Sequence, residues 1–205
     1  MYAKKIQKLI ELFSCFPGIG PRTAGRFVFY LTHAKGQEVD DLTEAIQSVK
    51  KSLKYCSFCS KLFEEEGDLC EICSNKLRDR TMLCVVENET NLVSIENKKI
   101  YKGLYFVLGN GFSDFKKQNL EQLRIESLKQ AIKTPEKFGI VHAKFEEIIL
   151  AFNSTTNGKL ISLYLLRELK ALNKKITCLG LGLPAEGELE YMDKQTLISA
   201  FGSRR

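Results

Sequence analysis

Two Cys-x-x-Cys pairs, Cys56/Cys59 and Cys70/Cys73, stand ten residues apart. Each pair offers two thiolates from one tight turn, and four thiolates complete the tetrahedron that zinc accepts. A redox Cys-x-x-Cys needs only one pair, usually at a helix N-terminus. Four protein ligands leave no open position for water or substrate, so the spacing predicts one structural zinc ion on Cys56, Cys59, Cys70 and Cys73. The competing reading is four reduced thiols brought together by chance. Residues 61–68 between the pairs are polar and include Glu64, Glu65 and Glu66. Such a loop cannot bury a core, and the ion substitutes for one.

Seven cysteines read as ligands and core fillers presuppose a reducing compartment. Cys84 and Cys178 fall in apolar runs and are expected to be buried small hydrophobes. The start, Met-Tyr-Ala-Lys-Lys-Ile-Gln-Lys, lacks the apolar stretch of a secretory signal. No run of about 18 apolar residues suggests a membrane span. The expected location is therefore cytoplasmic, with no membrane partner. With 44% hydrophobic residues in 205, the chain can bury a core in one domain or in two to three small ones. The net charge of +6 is a weak hint of a polyanionic partner. Its distribution is more informative. Lys4, Lys5, Lys8, Arg22, Arg26 and Lys35 face the single acid Glu11 within residues 1–36, whereas residues 56–80 hold four basic and six acidic side chains. Any nucleic-acid surface is expected near the N-terminus.

Apolar positions Ile6, Leu9, Ile10 and Phe13 predict a helix over 4–13. The turn Phe16-Pro17-Gly18-Ile19-Gly20 ends it. Pro21 suits the first position of a second helix, which is expected to run to about residue 34 and stop at Gly36. Asp41-Leu42-Thr43-Glu44 has the form of a capping box and predicts a third helix to about residue 54. After the cysteines, strands are expected at 82–86, 104–108, 148–152 and 176–181. Helices are expected at 91–96, 118–132, 159–172 and 194–200, the last capped by Asp193. Alternating strands and helices predict an α/β layer with a largely parallel sheet.

The segment from Phe16 to Ala24 resembles the helix-hairpin-helix DNA-binding motif. Its glycines permit unusual φ values and let a phosphate approach the backbone. The positive start of the second helix then faces that phosphate. Arg22 and Arg26 share one helix face and extend the contact. The candidate DNA-binding residues are Gly18, Gly20, Arg22, Thr23 and Arg26. Contact of this kind is directed at phosphate and is largely independent of sequence. No aromatic platform and no major-groove reading helix is expected. The plainer alternative is a two-helix turn with no ligand.

The layout after the cysteines resembles the Toprim fold of topoisomerases, primases and related nucleases. That resemblance implies magnesium-binding acids: a glutamate after the first strand and an Asp-x-Asp after a later one. Glu87 fills the first role. The nearest equivalents of the second are the neutral Asn153, Thr155 and Asn157. One carboxylate is a poor magnesium site, and two-metal phosphoryl chemistry is not expected of it. Glu87 then reads as a solvated strand-end acid or as a partner-contact residue.

In order, a helix-hairpin-helix (1–54), a four-cysteine zinc finger (55–76), a Toprim-like domain (77–175) and a tail (176–205) resemble the RecR family of bacterial recombination mediators. The tail reads Gly182-Leu183-Pro184-Ala185-Glu186-Gly187-Glu188-Leu189-Glu190-Tyr191, and resembles the family's Walker-B-like motif. No Gly-x-x-x-x-Gly-Lys-Ser/Thr accompanies it, so nucleotide hydrolysis is not expected. Asp193 as a helix cap and Tyr191 as a packing residue account for most of it. The resemblance implies a non-enzymatic protein that forms dimers or tetrameric rings around DNA. Such proteins act with RecO, and in many bacteria RecF, to help RecA displace single-strand-binding protein at gaps. It also implies that acids near Asn91 and Asn157 form the surface offered to RecO. Both positions are neutral here, which bears on the strength or geometry of that contact. Residues 116–145 are long and lysine-rich for the family. Lying between the basic hairpin and the α/β region, the zinc finger is expected to act as a staple that sets the angle between them. The alternatives are a magnesium-dependent Toprim nuclease or primase-like enzyme, and an adaptor that binds only protein.

Overall fold

The structure, a computed structural model, describes residues 2–109, 124–180, 183 and 188–202. The chain divides into two compact units, Met1–Leu53 and Lys54–Arg205.

The first unit holds α1 (Lys4–Ser14), α2 (Pro21–His33) and α3 (Gly36–Ser52). The expected period places Ile10 of α1 against Ala24 and Val28 of α2, with Ile6, Leu9, Phe13 and Ile19 packed around them. The third helix departs from expectation. It begins five residues before Asp41, and Gly36 is its first residue rather than a stop for α2. The break is made instead by Ala34 and Lys35, whose ψ angles of 155° and 147° are extended. Glu38 in the first turn complements the helix dipole. Asp41 lies inside the helix, and its carboxylate accepts a hydrogen bond from Gln37 Nε2 at 2.7 Å.

The second unit opens with the cysteine segment. The two-residue strands β1 (Lys54–Tyr55) and β2 (Leu62–Phe63) pair antiparallel around the first knuckle, and the short helix α4 (Glu71–Ser74) carries the second. A ribbon this short has no stability of its own. It docks on the α/β layer: Phe58, Phe63 and Ile72 belong to the same buried cluster as the central sheet. The Phe58 ring stacks on Phe145 at 5.9 Å, and Cys59 O accepts from Val107 N at 2.9 Å.

The sheet contains β3 (Asp79–Val86), β4 (Gly103–Val107), β5 (Glu147–Ala151) and β6 (Lys175–Cys178) in the order β4-β3-β5-β6, every pair parallel. Leu83 pairs with Leu104 on one side and with Ile148 on the other. Residues 83–86 and all of β4 are buried, as a parallel sheet covered on both faces requires. The helices α5 (Glu89–Glu96), α6 (Ile125–Lys133) and α7 (Thr156–Leu169) lie between the strands in sequence. Residues 118–123 of the predicted 118–132 helix lie outside the described residues, as does 116–123 of the lysine-rich segment. The predicted 159–172 helix begins three residues earlier, because Thr155 Oγ1 caps it by accepting from Gly158 N at 3.2 Å, and it ends in a 3-10 turn over Lys170–Leu172.

Cys84 is buried as expected, and burial pushes its thiol up to about 12. Cys178 is not buried. It ends the edge strand β6, which no further strand covers among the described residues, and its side chain is exposed. In the tail, residues 181–182 and 184–187 lie outside the described residues. A 3-10 turn over Leu189–Tyr191 precedes α8 (Lys194–Gly202), and Asp193 accepts from Thr196 N at 3.1 Å as the predicted cap. Tyr191 is 78% exposed rather than packed, because the three-residue turn that carries it buries none of its side chains.

Candidate nucleic-acid interface and metal centre

In the hairpin unit, Gly18 takes the left-handed backbone (φ 77) that lets Ile19 N return to Phe16 O at 3.0 Å. Gly20 is the N-cap of α2 and has no side chain with which to cap it. Pro21 has no N–H, and the first intrahelical bond runs from Ala24 N to Gly20 O at 2.9 Å. The N–H groups of Arg22 and Thr23 therefore have no partner within the helix, as at any helix start. Gly18, Gly20, Arg22, Thr23 and Arg26 are all exposed. Ideal Cβ atoms built on Gly18 and Gly20 meet nothing within 4 Å, so the backbone there is open to approach.

An aromatic surface, unexpected from the sequence, adjoins the arginines. Arg22 and Arg26 border one hollow with Tyr2, Phe29 and Tyr30. Tyr30 is 68% exposed, and the Tyr2 and Phe29 rings meet edge-on at 5.5 Å. The readable signal was the spacing, since Phe29 and Tyr30 follow Arg26 by three and four residues and share its helix face.

The structure brings Cys56, Cys59, Cys70 and Cys73 together. All four are buried, their Sγ atoms lie within 4.8 Å of one another, and they could hold a metal ion. Backbone donors support the sulfurs: Lys61 N points at Cys59 Sγ and Cys70 N at Cys56 Sγ, each at 3.4 Å. Hydrogen bonds from Cys59, Cys70 and Cys73 hold the Cys56 sulfur well below the usual thiol range. Bonds with Cys56, Cys59 and Cys70, and then burial, push the Cys73 thiol well above it. Sharing the charge of four thiolates this close and this buried would be the work of a bound cation. No other cluster of three or more His, Cys, Asp or Glu side chains suited to a metal occurs among the described residues.

At the carboxyl end of the sheet, Glu87 follows β3 and Asn153 follows β5. These two strands are neighbours, and their connections leave in opposite directions, to β4 and to β6. Ligand sites of parallel sheets form at such a switch point. Here Asn153 Nδ2 donates to Glu87 Oε2 at 3.5 Å, and burial raises the Glu87 carboxyl above its ordinary range. Thr155 is committed to capping α7. Asn91 N donates to Asn88 Oδ1 at 3.0 Å in the first turn of α5, and Asn157 is the second residue of α7. Glu89, which no sequence pattern marks, accepts through Oε2 from Leu62 N at 3.3 Å and ties α5 to the cysteine segment.

Together, the fold and these sites define a Toprim-type α/β protein that carries a helix-hairpin-helix and a four-cysteine cluster. A Toprim family model matches residues 81–180, and a model of the RecR helix-hairpin-helix matches residues 6–50. The chain belongs to the RecR family. It is 38% identical over 204 residues to the recombination protein RecR of Heliobacterium modesticaldum, covering 100% of this chain and 98% of that protein. It is 37% identical over 203 residues to the recombination protein RecR of Staphylococcus aureus strain JH9, covering 99% and 98%. No helix among the described residues is long and apolar enough to cross a membrane.

Proposed function

We propose that the chain is a DNA-binding recombination mediator with no catalytic activity of its own, acting in the cytoplasm with RecO, and in some settings RecF, to help load RecA on single-stranded gaps. The observation that carries this reading is the start of α2. There, uncapped N–H groups, an open glycine turn and the exposed Arg22 and Arg26 offer one surface to phosphate. Residues 1–54 act as the DNA arm, 55–76 as the zinc finger, 77–175 as the Toprim-like body and 176–205 as the tail. Family membership supports assembly as a dimer or a tetrameric ring.

Zinc is the ion we assign to the cysteines. Zinc–sulfur bonds of about 2.3 Å put the corners of a tetrahedron about 3.8 Å apart. Cys59 Sγ and Cys70 Sγ already stand 3.6 Å apart. The ion is structural, because four sulfurs fill its coordination sphere. The absence of catalysis is supported by Asn153, an amide where a second carboxylate would be needed beside Glu87. Glu87 then serves as a contact for a protein partner.

Salt-titrated DNA binding tests the proposal. Log affinity should fall with log salt by about 0.9 for each neutralised duplex phosphate. Replacing Arg22 and Arg26 with Ala should weaken binding and flatten that slope while circular dichroism stays unchanged. An unchanged slope with an intact fold would assign the hairpin a purely architectural role.

A further inference from the structure

The strands β3 and β4 gather at their amino ends a basic surface that no single stretch of sequence announces. Asp79 pairs with Gly103 across these strands, and Asp79 N donates to Lys102 O at 2.9 Å. That pairing brings residues 76–80 against residues 96–102. Together they carry Lys76, Arg78, Arg80, Lys98, Lys99 and Lys102 against two acids, Asp79 and Glu96. Both acids are engaged. Asp79 accepts from Thr81 Oγ1 at 2.6 Å, and Glu96 pairs with Arg78. Lys76, Lys98, Lys99 and Lys102 are exposed and make no ion pair among the described residues.

Two features set this edge apart from an ordinary solvated face. Residues 54–205 carry 23 basic and 20 acidic side chains, a net +3, so an edge with six cations and two acids leaves the rest of that unit slightly negative. Lys99 also holds a left-handed backbone (φ 55), a conformation that glycine or asparagine takes with less strain. Lys98 and Lys99 follow the end of α5, where a cation complements the helix dipole. Lys76 follows the four-residue α4 in the same way, but Lys102 ends no helix, and Lys99 and Lys102 border one shallow hollow with Arg78.

We propose that this basic edge is a second nucleic-acid contact surface, one that takes backbone phosphates through Lys98, Lys99 and Lys102 independently of the hairpin. The residues lie at the opposite end of β3 from Glu87, about 25 Å away for eight residues of strand. A polyanion on them thus leaves the Glu87 surface uncovered. Unpaired lysines spread over a shallow face suit a flexible line of phosphates better than a fitted anion, because a lysine acts as a mobile point charge. The proposal rests on the DNA-binding reading given above.

The test is a salt titration of the full chain against a fluorescent duplex of about 30 base pairs, read by anisotropy. Lys98→Gln, Lys99→Gln and Lys102→Gln are combined in one variant, and Arg22→Ala with Arg26→Ala in another. The lysine variant should lose about 2 to 3 from the slope of log affinity against log salt, at 0.9 per phosphate. If it also melts at a lower temperature, Lys102→Gln alone decides, with an expected loss of about 0.9. A lysine variant with the parental slope beside a flattened arginine variant overturns the proposal and leaves the hairpin reading standing. Parental slopes in both variants overturn both. Parental DNA binding together with lost binding of polyglutamate would assign the edge to an acidic protein partner, and likewise overturns the proposal.

Discussion

Removing the metal from the cysteine cluster should unfold more than the finger. Phe58 sits within the first knuckle, Phe63 between the two and Ile72 within the second, and they are 1%, 3% and 4% exposed within the core of the α/β unit. Each such side chain contributes about 1.5–3 kcal/mol by its burial. Together they contribute about 5–9 kcal/mol, set against a total domain stability of about 5–15 kcal/mol. The β1–β2 ribbon cannot hold them in place once the sulfurs part. At about 2–4 °C per kcal/mol for a unit of this size, a loss of 5 kcal/mol lowers the melting temperature by about 10–20 °C. The perturbation is Cys73→Ser, with strong chelation of the parent as a parallel. The assays are calorimetric melting and zinc release followed with a chromophoric chelator. One zinc per chain should be released from the parent and less from the variant. A Cys73→Ser protein that melts within about 3 °C of the parent, judged on the same scale, would refute the reasoning, because the finger residues would then stay buried without the ion.

Three further outcomes are expected. Glu147 accepts from Thr177 Oγ1 at 2.8 Å and Lys175 Nζ at 3.0 Å, and these bonds hold its carboxyl below the usual range. A depressed folded-state value stabilises the protein above the unfolded value of about 4.3 and ceases to do so as pH falls through the folded value. Glu147→Gln should therefore lower the urea midpoint at pH 7, by an amount that shrinks as pH falls below about 4.3. At Gly158, an added Cβ would fall 2.0 Å from Asn153 O, so the start of α7 or the end of β5 must move. Gly158→Ala should cost about 1–3 kcal/mol in denaturant titration and disturb the Glu87–Asn153 contact. In a magnesium-dependent nicking assay, the parent and Glu87→Gln should be equally inactive. Nicking by the parent that Glu87→Gln abolishes would favour a Toprim nuclease instead.

What the sequence made legible was local. The cysteine spacing carried the cluster, the period of Ile6, Leu9, Ile10 and Phe13 carried the hairpin core, and four apolar runs carried the parallel sheet. What it hid depends on strand order and on contacts between distant residues. Cys178 reads as buried until β6 is known to be an edge strand. The docking of the finger on the α/β layer is invisible until Phe58 meets Phe145 and Glu89 meets Leu62. The basic edge exists only because β3 and β4 bring residues 76–80 and 96–102 together. The start of α3 is hidden because no strong residue signal marks the extended pair Ala34 and Lys35, while Gly36 and the Asp41–Glu44 pattern point to a later start.

The central claim is that this chain assembles and acts on DNA. It is tested most directly by mass in solution, measured by light scattering at tens of micromolar with and without gapped DNA. The account predicts a species at least twice the monomer mass, which gains the mass of the DNA when gapped duplex is added. A monomer whose mass does not change with DNA would contradict it.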